Sequence, residues 1–223
     1  MVQINFASRE VSVKIVYYGP GRSGKTTNLE QIHLKAPQDS KGELISIATE
    51  TDRTLYFDFL PLDLGKIAGM TTKFQLYTVP GQVYYNATRK LVLQGSDGVI
   101  FVADSAPSMK DENLESLENL EENLEENGLD INEIPIVFQW NKRDLPEVMS
   151  VEEMNKDMNR WNSPTCEAVA VRGEGVFKTL KLLASQVIMK LNREHGFAED
   201  GKTRLGPEAA AAPQPAAAPR PAA

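Results

Sequence analysis

The sequence predicts an α/β fold in which helices flank both faces of a mainly parallel sheet. Short apolar runs that are typical of strands alternate along the chain with segments of helical periodicity. Residues 99–103 and 136–140 are apolar at almost every position, as expected of strands that are buried on both faces. A glycine-rich loop joins the first long strand to the first helix. Parallel strands that are connected through helices require right-handed crossovers.

The individual elements follow from periodicity and from the glycines and prolines between them. Strands are predicted at residues 11–18, 44–48, 72–79, 99–103, 136–140 and 165–170, with a further apolar segment at 55–60. Helices are predicted at residues 27–36, 86–93, 110–127, 151–159 and 175–193. Turns are expected at Pro61, Gly65 and Gly69. Residues 1–196 are expected to form one domain.

Composition restricts the class of protein. The 223 residues contain 24 Lys and Arg against 31 Asp and Glu, a net charge of −7 that argues against broad binding to nucleic acid or anionic membranes. The single cysteine, Cys166, allows no internal disulfide and favours a reducing, cytoplasmic location. No signal peptide, membrane span or lipid anchor is recognisable. Residues 197–223 are rich in Ala and Pro and are expected to form a disordered tail, either passive or partner-binding.

The glycine-rich loop carries the first functional signal. Residues 19–26 read GPGRSGKT and match the phosphate-loop pattern G-x-x-x-x-G-K-[ST] in the required context of strand, loop and helix. Backbone N–H groups of such a loop and the positive end of the next helix bind phosphate, whereas the alternative is a structural glycine turn. Lys25 would reach the β- and γ-phosphates, and the Thr26 hydroxyl would ligate Mg²⁺. The predicted nucleotide-binding residues of this segment are Gly19, Gly21, Arg22, Ser23, Gly24, Lys25, Thr26 and Thr27.

A second motif indicates the base of the nucleotide. Asn141, Lys142 and Asp144 form an N-K-x-D pattern directly after an apolar strand. At that position the Asp144 carboxylate can accept hydrogen bonds from N1–H and the exocyclic amine of guanine, whereas adenine offers neither donor. Sites of this kind discriminate by roughly 10⁴–10⁵-fold. The motif alone is compatible with a polar loop and a helix cap, but together with the phosphate loop it argues against an ATP-dependent enzyme.

With these motifs, the sequence resembles the Ras-like small GTPases, and within them the bacterial MglA-type proteins that control cell polarity and gliding motility. The resemblance extends over about residues 3–193 and is carried by residues 14–21, 49–55, 57–62, 76–82 and 141–146. It implies a P-loop NTPase fold of the Ras-like type. It also implies a molecular switch that binds GTP with Mg²⁺ and hydrolyses it to GDP.

The resemblance assigns roles to residues of two switch segments. Thr54 would ligate Mg²⁺ and sense the γ-phosphate in the first switch, and Arg53 would act as an arginine finger supplied in cis. Such a finger accelerates hydrolysis by about 10³–10⁵-fold. In the second switch, Gln82 would orient the attacking water and Gly81 would offer its N–H to the γ-phosphate. The alternatives for Thr54 and Arg53 are an ordinary loop threonine and a solvated arginine.

The sequence departs from the wider superfamily at two places. Thr78 replaces the aspartate of the D-x-x-G motif, as is typical of MglA-type proteins, and cannot supply an anionic group near Mg²⁺. Asp58 could substitute through a water molecule, or could equally face solvent. Val169 and Ala170 align with the loop whose backbone N–H contacts guanine O6, but the flanking serine and lysine are lost. At Gly21 the absence of a side chain leaves room for the attacking water.

The resemblance also implies partners and a conformational change. MglA-type proteins are activated by a homodimer of the roadblock-fold protein MglB, and they bind different effectors in their GTP and GDP states. The strand after the first switch, about residues 55–60 here, slides in register between the two states. The competing interpretation is a nucleotide-dependent binding module with little or no hydrolysis, in which Arg53 and Gln82 never reach the phosphates.

Overall fold

The computed structural model describes residues 3–5, 8–48, 56–67 and 70–195, and these form eight strands and five α-helices. The strands are β1 (Gln3–Asn5), β2 (Glu10–Tyr18), β3 (Ile45–Ala48), β4 (Tyr56–Ile67), β5 (Met70–Thr78), β6 (Gly98–Asp104), β7 (Ile136–Asn141) and β8 (Thr165–Glu167). The helices are α1 (Lys25–Lys35), α2 (Asn86–Leu93), α3 (Lys110–Glu126), α4 (Val151–Met158) and α5 (Val176–His195).

The strands form one sheet with the order β3-β4-β5-β2-β6-β7-β8, and β1 pairs antiparallel with β2. All neighbours from β5 to β8 are parallel, whereas β4 is antiparallel to both of its neighbours, β3 and β5. The predicted mainly parallel sheet is therefore confirmed. Because the parallel strands end at the same edge, the loops that follow β2, β5, β6 and β7 lie close together there.

Helices cover both faces of the sheet, as predicted. One core contains apolar side chains of α1 and α5, and the other contains those of α2, α3 and α4. The interior strand β6 supplies both cores by alternation, with Ile100 and Val102 on one face and Val99, Phe101 and Ala103 on the other. Within the described ranges, no helix combines the length and the apolar character needed to cross a membrane.

Local sequence explains where the helices begin and end. In α3, Leu117, Leu120 and Leu124 recur at helical spacing and are buried, and Gly128 follows the helix with a φ of +69° that favours glycine. Helix α4 begins with a capping box, because the Ser150 side chain accepts from the Glu153 N–H and the Glu153 carboxylate accepts from the Ser150 N–H.

Two predictions about the strands were wrong, and one strand was missed. The turn predicted at Pro61 and Gly65 is absent from the described chain, since β4 continues to Ile67 in a ladder with β5. A bulge between Asp63 and Lys66 accommodates Gly65 at a φ of +85° instead. The last strand stops at Glu167, and residues 170–172 form a 3₁₀ turn. Strand β1 was not predicted, and the turn expected at Gly69 lies outside the described residues.

Candidate functional site: a two-part cavity at the carboxyl ends of the strands

The phosphate loop connects β2 to α1 and fits its surroundings only with glycine at two positions. Gly19 has a φ of +134°, and a Cβ atom there would lie 2.2 Å from the Val102 carbonyl oxygen. Gly24 has a φ of +103°, and a Cβ atom there would lie 2.3 Å from the Asn141 side-chain nitrogen. Both glycines are therefore required by backbone conformation and by close approach of neighbouring strands.

Lys25 extends back under the loop. Its Nζ donates to the carbonyl oxygens of Gly19 at 3.0 Å and Pro20 at 2.6 Å. Burial and, to a smaller extent, the positive charge of Arg89 lower the pKa of Lys25, the charge of Asp58 opposes them, and together they bring it to about 7. An anionic group bound at the loop would favour the charged form of this lysine.

Asp58 joins the phosphate loop to two strands. Its Oδ2 accepts hydrogen bonds from Thr26 Oγ1 at 2.6 Å and Thr78 Oγ1 at 2.9 Å, and its Oδ1 accepts one from Ser46 Oγ at 2.7 Å. The residue is 6% exposed, so the alternative in which it faces solvent was wrong. The antiparallel pairing of β4 with β5 thus places the Asp58 carboxylate beside Thr78, the position at which the wider superfamily has an aspartate.

The oxygen atoms around Asp58 suit a hard cation. A hydroxyl on Thr26 and a buried carboxylate with no ion-pair partner in the described chain are donors that Mg²⁺ prefers. No cluster of three or more His, Cys, Asp or Glu side chains suited to a metal occurs among the described residues. Mg²⁺ typically binds through one or two protein groups plus substrate phosphates, so the donor set fits that ion.

The second switch packs directly against the phosphate loop. A Cβ atom at Gly81 would lie 2.4 Å from the Gly21 Cα, so the two backbones touch. Gln82 is exposed and lines the same cavity of about 480 Å³ as Lys25. The cavity is lined by Gly21, Arg22, Gly24, Lys25, Thr26, Thr27, Asp58, Thr78, Val79, Pro80, Gly81, Gln82 and Tyr85.

A second cavity of about 280 Å³ lies beside the first and is formed around the N-K-x-D motif. Asn141 fixes this region, because its Nδ2 donates to the Ser23 carbonyl at 2.7 Å and its Oδ1 accepts from the Ala170 N–H at 2.9 Å. One side chain thus connects the phosphate loop to the loop after β8. The lining residues are Arg22, Gly24, Thr27, Asn141, Lys142, Asp144, Leu145, Ala170 and Val171.

Lys142 is held in place by a partner that sequence reasoning missed. It has a φ of +64°, and its Nζ lies 2.6 Å from the Oδ2 of Asp104, a carboxylate whose side chain is 3% exposed. Asp104 ends β6 directly opposite Asn141 in the parallel register. The position of Asp104, a charged residue at the end of an otherwise apolar strand, could have indicated that it pairs with Lys142. Asp144 points toward Arg172, whose Nη2 lies 3.8 Å from its Oδ2.

Not all predicted residues line the two cavities. Gly19 and Ser23 lie behind the loop surface and contribute backbone carbonyls, to Lys25 and Asn141 respectively. Val169 is buried, and its N–H donates to the Glu174 carbonyl at 3.1 Å. Arg53 and Thr54 lie outside the described residues, as does Leu55 at the start of the predicted sliding segment.

Comparison with known proteins identifies the family. A match to the ADP-ribosylation factor family covers residues 2–187. The chain belongs to this family. It is also 59% identical over 190 residues to the mutual gliding-motility protein MglA of Myxococcus xanthus strain DK1622, covering 85% of this chain and 97% of that protein. ADP-ribosylation factor-like protein 6 of Caenorhabditis elegans is 26% identical over 187 residues, covering 82% of this chain and 90% of that protein.

Family membership confirms several predictions made from the sequence. The chain is an MglA-type small GTPase with a Ras-like P-loop fold, that is, a switch that binds and hydrolyses GTP. Guanine nucleotide is accordingly its ligand. Within this ADP-ribosylation factor fold, the N-K-x-D cavity is the candidate base pocket and the larger cavity the candidate phosphate pocket.

Proposed function

We propose that this GTPase binds Mg²⁺·GTP across the two cavities, hydrolyses it slowly alone, and hydrolyses it faster with an activating partner. The observation that carries the proposal is the meeting of Thr26, Asp58 and Thr78 beside Gly81 and Gln82. This arrangement supports a metal ion and an attacking water at one end of the phosphate loop, beside the groups that would hold them. In a switch, differential contacts of the γ-phosphate with such groups distinguish the two states.

For the metal, we propose that the hydroxyls of Thr26 and Thr54 are direct ligands and that Asp58 acts through water. Bound Mg²⁺ would neutralise charge on the β- and γ-phosphate oxygens. Asp58 would accept hydrogen bonds from metal-bound water and keep the Thr26 hydroxyl oriented, as it does through the bond of 2.6 Å.

For hydrolysis, we propose that Gln82 orients a water molecule for in-line attack on the γ-phosphorus. The new P–O bond forms as the bond to the β-phosphate oxygen breaks, GDP leaves, and the water proton passes to the phosphate product. Lys25, the Gly81 N–H and the Arg53 guanidinium would neutralise charge on the transferred group.

For the base, we propose that Asp144 accepts from guanine N1–H and the exocyclic amine while Lys142 packs along the nucleoside. The Val169–Ala170 backbone would supply the contact to O6. Because the Ala170 N–H already donates to Asn141 Oδ1 at 2.9 Å, that contact would be shared between two acceptors.

For the cellular role, the similarity to a mutual gliding-motility protein supports a switch in gliding motility and cell polarity. We propose a cytoplasmic protein with a GTPase domain at residues 1–196 and a disordered tail at 197–223. Its activating partner would be an MglB-like roadblock homodimer, and its outputs would be effectors that distinguish the GTP and GDP states.

Single-turnover hydrolysis of GTP, with and without an MglB-like partner, tests the proposal. Gln82→Ala and Arg53→Ala should each slow the accelerated reaction by about 10³-fold or more while changing GTP affinity much less. Tight GTP binding without hydrolysis or acceleration would instead identify a nucleotide-dependent binding module. If either substitution chiefly abolished binding, its catalytic assignment would be wrong.

A further inference from the structure

Arg89 on helix α2 is a fully buried cation with neutral partners. It is 0% exposed, its Nη1 donates to Asn119 Oδ1 at 2.8 Å, and its Nη2 donates to Ser116 Oγ at 2.6 Å. The guanidinium lies 4.3 Å from the ring centroid of Tyr18, and its Nε has no hydrogen-bond partner. No carboxylate of the described residues lies within ion-pair distance of it.

A buried guanidinium without a counter-charge is unfavourable, because neutral oxygens replace only part of its lost hydration. Burial raises the pKa of Tyr18 to about 12, so this phenol is neutral at physiological pH. The exposed Glu115 on α3 acts on Arg89 only at longer range. Within the part of the chain that the structure describes, this charge is therefore largely uncompensated.

The position of Arg89 relative to the phosphate loop indicates what compensates it. Arg89 Nη2 makes a long contact of 3.4 Å to the Gly19 carbonyl oxygen, which also accepts from Lys25 Nζ at 3.0 Å. Two cations thus converge on one oxygen at the start of the loop. Like charges that share a buried site repel one another, and an anion bound at the loop would offset this repulsion because it attracts both cations.

We propose that Arg89 is a positioning residue for the nucleotide phosphates. The phosphates provide the counter-charge of Arg89, and Arg89 holds the phosphate loop in place through the Gly19 carbonyl. The inference rests on the proposed nucleotide site and deepens it. It also gives helix α2, which follows the second switch, a direct connection to the phosphate loop. Binding of phosphate and placement of α2 are consequently linked through one side chain.

The substitution Asn119→Asp tests this assignment while keeping the shape of the side chain. It places a carboxylate where Oδ1 now accepts from Arg89 Nη1 at 2.8 Å and from the Tyr18 hydroxyl at 2.7 Å. The new charge would neutralise Arg89 within the protein. We expect about tenfold weaker binding of GDP and GTP in EDTA, and a smaller loss for GMP, because the lost attraction scales with phosphate charge.

Asn119→Ala is the matched control, since it removes the same amide and its bond to Asn86 Oδ1 without adding charge. It should lower the midpoint of urea unfolding but weaken GDP binding less than Asn119→Asp does. Equal weakening by both variants, or unchanged GDP affinity in Asn119→Asp, would overturn the inference. A wild-type protein that bound no guanine nucleotide would instead contradict the proposed function itself.

Discussion

The two cavities of the nucleotide site differ in how their buried charges are paired. On the base side, the carboxylate of Asp104 lies 2.6 Å from the ammonium group of Lys142. On the phosphate side, Asp58 contacts three hydroxyl groups and Arg89 contacts neutral oxygens. Neither has an opposite charge within ion-pair distance among the described residues.

This difference indicates which side of the site depends on its ligand. Unpaired buried ions destabilise a fold, whereas a ligand that carries both signs of charge can compensate them. Mg²⁺ with a polyphosphate supplies a cation for Asp58 and anions for Arg89 and Lys25. The base side is complete without ligand, so it can discriminate between bases with preformed groups, whereas the phosphate side responds to what is bound.

The largest effect is expected from Asp58→Asn. The Mg²⁺ concentration needed for half-maximal retention of GTP should rise about 10- to 100-fold, the range observed when an outer partner of a metal site is lost. The free energy of unfolding without nucleotide should not fall, because the hydroxyls of Thr26 and Ser46 can accept from an amide as well as donate to it. Release of a fluorescent GTP analogue across a Mg²⁺ titration measures the first quantity, and urea unfolding the second.

Asp63→Asn provides the control for this experiment. Asp63 lies on the same strand, and its Oδ1 accepts from the Gly65 N–H at 2.7 Å, which an asparagine oxygen can also do. It should leave the Mg²⁺ requirement unchanged. An unchanged requirement in Asp58→Asn as well would mean that Asp58 serves only the neighbouring hydroxyls.

A smaller effect of a different kind is expected from Asp104→Asn on the base side. The variant should lose about 1–2 kcal/mol of unfolding free energy, because a hydrogen bond between charged groups is removed. The loss is limited to this range because the Lys142 side chain is 34% exposed and water compensates part of the lost interaction. GDP should dissociate about tenfold faster, corresponding to about 1.4 kcal/mol, while the Mg²⁺ requirement stays unchanged.

The surface pair of Lys110 and Asp157 offers a matched comparison, since its Nζ to Oδ2 distance is 2.7 Å and both side chains are partly exposed. Asp157→Asn should change stability by less than about 1 kcal/mol and leave GDP dissociation unaltered. If Asp104→Asn changed the Mg²⁺ requirement and not GDP dissociation, the proposed division of the two cavities would be incorrect.

Much of the fold was predictable because hydrophobic periodicity reports burial on helices and strands. Helix α2 was predicted with its observed limits, Asn86–Leu93. The continuation of β4 past Pro61 was not predictable from local turn chemistry, because the ladder with β5 outweighs it. Pairing partners and register are tertiary properties that a single sequence does not encode locally.

The same limit applies to the site. The phosphate loop and the N-K-x-D motif are continuous in sequence and were found, whereas the contact of Asp58 with Thr78 depends on the register of β4 and β5. For Arg89, in contrast, the sequence does contain a signal. It shares the buried face of α2 with Val92 and Leu93 at helical spacing, where a charged residue is unusual.

The smallest effect is expected from Ser46→Ala, which removes one of the hydroxyl groups that donate hydrogen bonds to Asp58. Ser46 is exposed, so water can replace its bond of 2.7 Å to Oδ1, and the Mg²⁺ requirement should rise only about twofold. Ser150→Ala is the control, because it removes the α4 capping box and should cost about 1 kcal/mol of stability without altering Mg²⁺ or nucleotide binding. A Mg²⁺ effect of Ser46→Ala as large as that of Asp58→Asn would assign the metal site to the hydroxyl network as a whole, and not to the unpaired carboxylate.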